Sequence, residues 1–457
     1  MSTEQVTVIG GGLAGSEAAW QLAERGHRVR LFEMRPARQT GAHQSADLAE
    51  LVCSNSLGSK LPDRASGILM AELRSLGSLL LALAEEQVVP AGGALAVDRI
   101  GFSRAVTERV QSHANIELVR QEVTELPAGW LVIASGPLTS PALSQALAGL
   151  AGQDHLYFYD ALSPIVEADS IDFSIAYRGS RYGRGELEAG DYINCPFTEQ
   201  EYDAFIDALL TAERIPLREF EQEIETGVKA GMDKFFEGCL PVEIIAERGR
   251  RALAFGPMRP VGLHDPRSSA RAHAVVQLRQ DDLAGELYNL VGFQTNLRFP
   301  EQRRVLRMIP GLAEARFARY GQMHRNTFLN SPRVLAPDLR VKSADRVYLA
   351  GQLTGVEGYL GNIATGLLAG LNVARAIEGG PPVVLPPETM LGSLVHYVTH
   401  ADPGQFQPMK ANLGLLPELG PDRPRGRRQR AAAYAQRAQR VMAGYLEDER
   451  DLLRIAT

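Results

Sequence analysis

The sequence predicts an α/β fold built on a Rossmann-type dinucleotide-binding domain that is interrupted by an inserted α+β domain. Three observations predict it. A glycine-rich turn, Gly10-Gly-Gly12-Leu-Ala-Gly15, directly follows the apolar run of residues 6–9. A second apolar strand, Trp130-Leu-Val-Ile-Ala-Ser-Gly136, ends in small residues. Much later, residues 346–377 return to strand, glycine loop and helix after a long stretch of different texture.

The first element reads as a buried strand over residues 6–9 followed by a helix over residues 16–25. Between them, Gly10 allows a tight turn, Gly12 lets the backbone approach a pyrophosphate, and Gly15 lets helix and strand pack closely. Gly11, Leu13 and Ala14 complete this cradle. The helix N-terminus offers N–H groups and the positive end of its dipole to phosphates. A second strand, Val29-Arg-Leu-Phe, then ends at Glu33. An acid at that point accepts hydrogen bonds from a ribose 2′-hydroxyl and disfavours a 2′-phosphate, so FAD or NAD fits better than NADP.

Residues 70–86 show helical periodicity, and residues 92–98 read as a glycine-hinged strand. The strand at residues 130–136 is of the kind that FAD-dependent two-domain proteins bring close to their cofactor. From about residue 157 to 330 the chain becomes aromatic-rich, with mixed strand and helix signals and many Gly and Pro. The glycines of residues 351–361 have the wrong spacing for a second fingerprint, and no acidic second strand follows. They suit the closing strand and helix of the first domain, the helix expected over residues 363–377, with Gly351, Gln352, Gly355, Gly358 and Gly361 set against the flavin and ribitol; the alternative is a mere packing turn. The expected organisation is a discontinuous FAD domain over residues 1–155 and 331–457 and an inserted domain over residues 156–330. No separate NAD(P)H domain is visible, so a reductant would dock transiently.

Composition narrows the class. At 457 residues the chain is long enough for two or three domains. No apolar run reaches the roughly 20 residues of a membrane span and no leader precedes the first strand, which predicts a soluble, unexported protein. Three cysteines make neither a disulfide framework nor a zinc cluster and suit a reducing cytoplasm. The net charge of −6 argues against a surface coated in positive potential, although a local basic patch suffices to contact nucleic acid. The densest basic stretch, residues 423–440, carries seven arginines, and a solvated helix explains it at least as well as an RNA contact.

Several longer segments are specific: Glu33-Met-Arg-Pro36, Ala49-Glu-Leu-Val-Cys-Ser-Asn-Ser-Leu57, Pro90-Ala-Gly-Gly-Ala-Leu-Ala-Val-Asp98, Tyr192-Ile-Asn-Cys-Pro196, Phe236-Glu-Gly-Cys-Leu-Pro241, Phe255-Gly-Pro-Met-Arg-Pro260, Tyr288-Asn-Leu-Val-Gly-Phe-Gln294 and Phe406-Gln-Pro-Met409. With the Gly10–Gly15 turn, they resemble the TrmFO family, folate- and FAD-dependent tRNA (uracil-5-)-methyltransferases, nearly end to end. Ala350-Gly-Gln352 is also similar to GidA/MnmG, the related flavoproteins that modify the tRNA wobble uridine, which makes such an enzyme the alternative. Lys410 departs from the family pattern, where Asn is expected, and touches no assigned role.

The resemblance implies a glutathione-reductase-like FAD domain and C5-methylation of the T-loop uridine at tRNA position 54. The carbon would come from 5,10-methylenetetrahydrofolate, and NADPH or NADH would reduce the FAD. The expected partners are the tRNA T-arm and folate, with no membrane and no obligatory protein partner. It also places chemical roles on Cys53 and Cys239. Uracil C5 is a poor nucleophile; thiolate addition at C6 makes it enolate-like, and a second group must then remove the C5 proton. Cys239 is assigned as the nucleophile and Cys53 as the flavin-proximal base or thiol partner, and on sequence grounds the two roles are interchangeable. A thiol–disulfide reductase would want a close cysteine pair, whereas the nearest here are Cys195 and Cys239. Cys195, between Asn194 and Pro196, reads as packing in a structural turn. A tRNA-binding chaperone without turnover would not need both thiols in these contexts. Tyr359 is a candidate pterin face or a core residue. His43, near Cys53, is a candidate for assisting proton transfer, although an exposed loop histidine is the simpler reading. Arg178, Arg181 and Arg184, interleaved with Tyr177 and Tyr182, are candidates for reading the T-loop or for a twisted edge strand with solvated charges.

Overall fold

Strand, glycine turn, helix and strand open the chain as the pattern requires: β1 is Gln5–Ile9, α1 is Leu13–Glu24 and β2 is Arg28–Phe32. A computed structural model describes residues 4–40, 42–151, 156–161, 163–215, 240–268, 270–321, 323–421 and 423–449. β1 pairs in parallel with β2 on one side and with Trp130–Ile133 on the other. Ala344–Leu349 then pairs in parallel with Trp130–Ile133, so a strand more than two hundred positions later extends the same sheet. Ile116–Val119 and Arg340–Val341 form its edges and complete six strands.

Helix Tyr359–Ile377 lies against α1, and two glycines set how closely: a Cβ on Gly366 would fall 2.2 Å from the Ala14 carbonyl oxygen, and one on Gly370 2.9 Å from that of Ala18. This helix is long and apolar enough to cross a membrane by length and composition, but 83% of that window is buried inside the protein. It is the core helix of the first sheet. The periodic stretch at residues 70–86 is two helices, Ala65–Ser75 and Leu79–Glu86, bent by 114° with Gly77 between them at φ +73°. Helix Met390–His400 begins at Glu72, whose carboxylate accepts the Met390 and Leu391 N–H groups at 2.7 and 2.8 Å.

The second core belongs to an antiparallel sheet ordered Tyr177–Gly179, Tyr192–Phe197, Ala274–Gln280, Leu287–Leu290, Ile165–Glu167 and Phe317–Arg319. Ile193, Phe197, Val276 and Leu290 fill its buried face together with Phe205 and Leu209 of helix Glu199–Thr211. Thr198 and Glu201 form a capping box that starts this helix. Leu156–Ala161 and Met323–Phe328 pair antiparallel where the chain enters and leaves this region. The C-terminal arginine-rich segment is helix Arg427–Asp448, which buries Ala431, Ala435, Ala438 and Met442 and lies along Ala65–Ser75. Its Arg437 donates to the carbonyls of Pro417 and Glu418.

Candidate functional site

The glycine turn is shaped by its own crowding at three of four positions. Gly10 sits at φ +103°, and a Cβ there would meet the Ala134 backbone at 2.5 Å. On Gly11 it would strike Leu48 at 2.4 Å, and on Gly15 the Gly10 carbonyl oxygen at 1.7 Å. At Gly12 it would meet nothing within 4 Å. Protein packing therefore accounts for Gly10, Gly11 and Gly15, while Gly12 faces open space at the N-terminus of α1. That space fits a pyrophosphate approaching the backbone.

Glu33, just past β2, is buried and already engaged. It accepts the Gly11 N–H at 3.0 Å on one oxygen, and the Arg35 N–H and Nε–H, both at 2.9 Å, on the other. Burial alone would raise its pKa, but the hydrogen bonds and charge of Arg35 with the Gly11 N–H hold it below the usual carboxylate range. Arg35 also donates to Glu50 at 3.2 Å, so a buried Glu33–Arg35–Glu50 chain braces the turn. A carboxylate has about four acceptor positions, so Glu33 keeps one for a ribose hydroxyl. It lines a solvent-open pocket with Ile9, Met34, Ser135 and Leu143, on the side of the glycine turn where a ribose would meet its carboxylate.

Farther along, a cleft of about 970 Å³, counting its solvent-open part, is lined by Cys53, Ser54, Gln352, Gly358, Asn362 and Lys410 among others. Helix Tyr359–Ile377 starts there, four residues earlier than its apolar pattern suggests, so Gly361 lies in its first turn on the cleft wall. The buried Asn362 side-chain oxygen receives no hydrogen bond, although its amide donates to the Gly358 carbonyl at 3.0 Å. An unpartnered acceptor beside a helix N-terminus suits a flat, polar-edged ring such as a flavin. Gln352 faces the cleft and donates to Glu357 at 2.8 Å. Gly351 and Gly355 serve the wall behind it: a Cβ on Gly355, at φ +76°, would lie 2.5 Å from the Phe406 ring.

The Cys53 loop is held from several elements. The Cys53 N–H donates to the Tyr359 hydroxyl at 2.8 Å, a use of Tyr359 that neither a pterin face nor core packing foresaw. Buried Arg99 donates to the Leu51 and Cys53 carbonyls and pairs with Asp281 at 2.9 Å. Burial works against its charge, but Asp281 outweighs that and holds Arg99 protonated. Asn55, fully buried, donates to the Val97 and Gln280 carbonyls and accepts from Arg279 Nε at 2.9 Å. Asp281, Gln280 and Arg279 all belong to the second sheet region, so that region positions the Cys53 loop. Arg99, Asp281 and Arg279 carried no signal in the sequence beyond lying at or near family-like segments.

Cys239 lies outside the described residues. Cys195 is buried in strand Tyr192–Phe197, not in a turn, and burial pushes its thiol up to about 12. His43 is half-buried instead of exposed: its Nδ1 is 2.6 Å from the Thr40 hydroxyl, and burial, reinforced by Arg35, pushes its pKa down to about 4. A neutral imidazole with that partner is a poor proton carrier near neutrality. Lys410 stands on the cleft wall with its stem over Gly358, so the one departure from the family pattern falls inside the site.

A parallel sheet with a dinucleotide turn at its first strand–helix junction, and a late strand and helix returning to complete it, defines the Rossmann-type FAD-binding fold. GidA of Aquifex aeolicus in its form II crystal shares this fold, with a TM-score of 0.68 at 16% identity over 98% of this chain and 75% of that one. The family model for glucose inhibited division protein A matches residues 5–381. Methylenetetrahydrofolate–tRNA-(uracil-5-)-methyltransferase TrmFO of Heliobacterium modesticaldum is 54% identical over 434 residues, covering 95% of this chain and 96% of the relative. Its counterpart from Bacillus licheniformis is 54% identical over 435 residues, covering 95% and 97%. The chain belongs to the TrmFO family, within the glucose inhibited division protein A group.

Proposed function

We propose that this protein methylates C5 of the uridine at position 54 in the tRNA T-loop, in the cytoplasm, with 5,10-methylenetetrahydrofolate as carbon donor. The observation that carries the reading is identity of about half the residues with TrmFO enzymes along almost the whole chain. The same identity favours TrmFO over the wobble-uridine activity of GidA-type enzymes. FAD, reduced by NADPH or NADH when bound, supplies the carbon carrier and the hydride. Residues 1–155 and 331–457 form the FAD domain in this proposal, and residues 156–330 the inserted domain that faces the tRNA.

The chain's own residues divide the remaining work. Gly12 and the N–H groups that open α1 bind the pyrophosphate, and Glu33 accepts from the adenosine ribose. The N-terminus of helix Tyr359–Ile377, with Gly358, Gly361 and Asn362, orients the flavin in the cleft. Cys239 adds to uracil C6 through its thiolate, forming a C6–S bond as the C5–C6 π electrons move to C5; when C5 has gained its carbon and loses its proton, the double bond re-forms and the thiolate leaves. Cys53, set in the cleft wall by Tyr359 and Arg99, receives the C5 proton or acts as the thiol partner. Cys239→Ala is expected to abolish methylation and keep FAD. The test is incubation with undermodified tRNA, NADPH and methylenetetrahydrofolate labelled in its methylene carbon. Label in ribothymidine supports the proposal; its absence, or full activity of Cys239→Ala, overturns the reading or that cysteine's role, respectively.

A further inference from the structure

Tyr182 is 63% exposed, yet its backbone sits at φ +60°, in the left-handed region that bulky side chains rarely adopt. It follows edge strand Tyr177–Gly179 and is held there by its surroundings. Its N–H donates to the Gly262 carbonyl at 2.6 Å, and its ring lies over Gly262, where a Cβ would come within 2.7 Å of ring carbon. Arg181 locks the loop beneath by donating to the carbonyls of Val261 and Arg259 and to Gln277 Oε1. Both arginine and ring are thus committed to one rigid arrangement. Strain that the fold over-determines in this way gathers at ligand-binding positions.

The rest of this loop reaches the first domain. Asp191 accepts the Gly92 N–H, and Glu186 pairs with Lys60, the residue after strand Ser56–Ser59, whose Ser56 lines the Cys53 cleft. The aromatic face is therefore anchored to the seam beside the cleft. The segment that supports it, residues 248–271, carries six arginines against one acid, Asp265. Asp265 is taken by Arg267, and Arg250 by Asp203 and Asp207. Among the described residues, Arg184, Arg251, Arg259 and Arg271 join no ion pair. Arg251 lies 5.3 Å over the ring of Phe255, itself 70% exposed. Exposed aromatic faces beside unneutralised guanidinium groups are what unstacked bases and their phosphates require.

We infer that Tyr182 is a platform on which an unpaired tRNA base stacks, with Arg184 and Arg259 taking adjacent phosphates. This rests on the methyltransferase reading and deepens it by naming where the RNA lies outside the cleft. Arg178 and Arg181 are not RNA readers in this assignment: Arg181 is spent on the loop, and Arg178 donates to the Tyr288 hydroxyl at 2.9 Å.

The test is anisotropy titration of FAD-bound protein with a labelled, unmodified tRNA transcript at several salt concentrations. Tyr182→Ala is expected to weaken binding about tenfold, within the range for loss of one stacked base, with an unchanged salt slope. Tyr182→Phe should bind like the parent. Tyr182→Gly, which suits φ +60°, should lose affinity as Tyr182→Ala does, separating ring from backbone. Arg259→Ala should flatten the salt slope by about one. An unchanged flavin spectrum verifies folding in each. Parental affinity of either Tyr182→Ala or Tyr182→Gly overturns the inference, as does a change of oligomeric state with tRNA affinity intact. Failure of the parent protein to bind tRNA would instead overturn the methyltransferase reading.

Discussion

The glycine cradle and the Cys53 cleft, the two sites to which the proposed function gives one elongated cofactor, are made of different material. The cradle is backbone, drawn from six contiguous residues, with the Glu33 carboxylate reaching it across 22 positions. The cleft is side chain and loop: Cys53 meets Tyr359 across 306 positions, and Arg99 meets Asp281 across 182. A backbone site depends on whether a Cβ fits. A side-chain site depends on whether distant hydrogen bonds survive.

Substitution within the cradle gives the largest contrast. Gly15→Ala puts a carbon 1.7 Å from the Gly10 carbonyl oxygen, where backbone must move. Its expected cost is about 4 kcal/mol or more in urea unfolding. Gly12→Ala meets nothing within 4 Å and should change apoprotein stability by no more than about 1 kcal/mol. It should nevertheless purify with little FAD, because its methyl occupies space kept for the ligand. Flavin content measured at 450 nm decides it. A Gly12→Ala protein that retains full FAD would remove the distinction between packing and ligand glycines.

The next largest effect lies on the cleft side. Arg99→Ala leaves Asp281 buried without its cation and frees two loop carbonyls, at an expected cost of about 3–5 kcal/mol. Unlike Gly15→Ala, its damage should be shared between the two sheets, since Asp281 directly follows strand Ala274–Gln280 of the second. Adding Asp281→Ala should recover part of the loss, because the buried carboxylate that Arg99 neutralised is then gone as well. A double variant that costs the sum of the singles would mean the pair does not act as a unit.

The same contrast explains what could be read in the sequence. The cradle, β1, β2 and Trp130–Ile133 were legible because local pattern and fold agree there. The strand return at Ala344–Leu349 was legible through its missing second fingerprint. Helix Tyr359–Ile377 began earlier than its apolar pattern because Tyr359 and Asn362 open it toward a ligand cleft, where polarity serves the site. Gly77 divided a periodic stretch that pattern alone joined. Lys410 looked remote in sequence because its neighbour Gly358 is brought to it by the pairing of Val356–Glu357 with Met409–Lys410. Cys53 was found through its motif and Tyr359 was named for other roles, but Arg99 and the hold of both on the Cys53 loop were not. No spacing rule links residues 53, 99, 281 and 359 before the two sheets are brought together.

Tyr359→Phe isolates the smallest part of that network. It removes one hydroxyl, the acceptor of the Cys53 N–H, while the ring remains at the start of the helix. Loss of the hydrogen bond from the Cys53 N–H should cost about 1 kcal/mol of stability. FAD should stay bound, since the cradle is untouched. Turnover should fall more than stability predicts, because a loosened Cys53 loop shifts a group that must meet its partner within hydrogen-bond reach. In single turnover with labelled methylene donor, the affected rate should be methyl transfer, with the affinity for tRNA unchanged. A parental rate with the stability loss present would show that Tyr359 braces the fold without setting the position of Cys53.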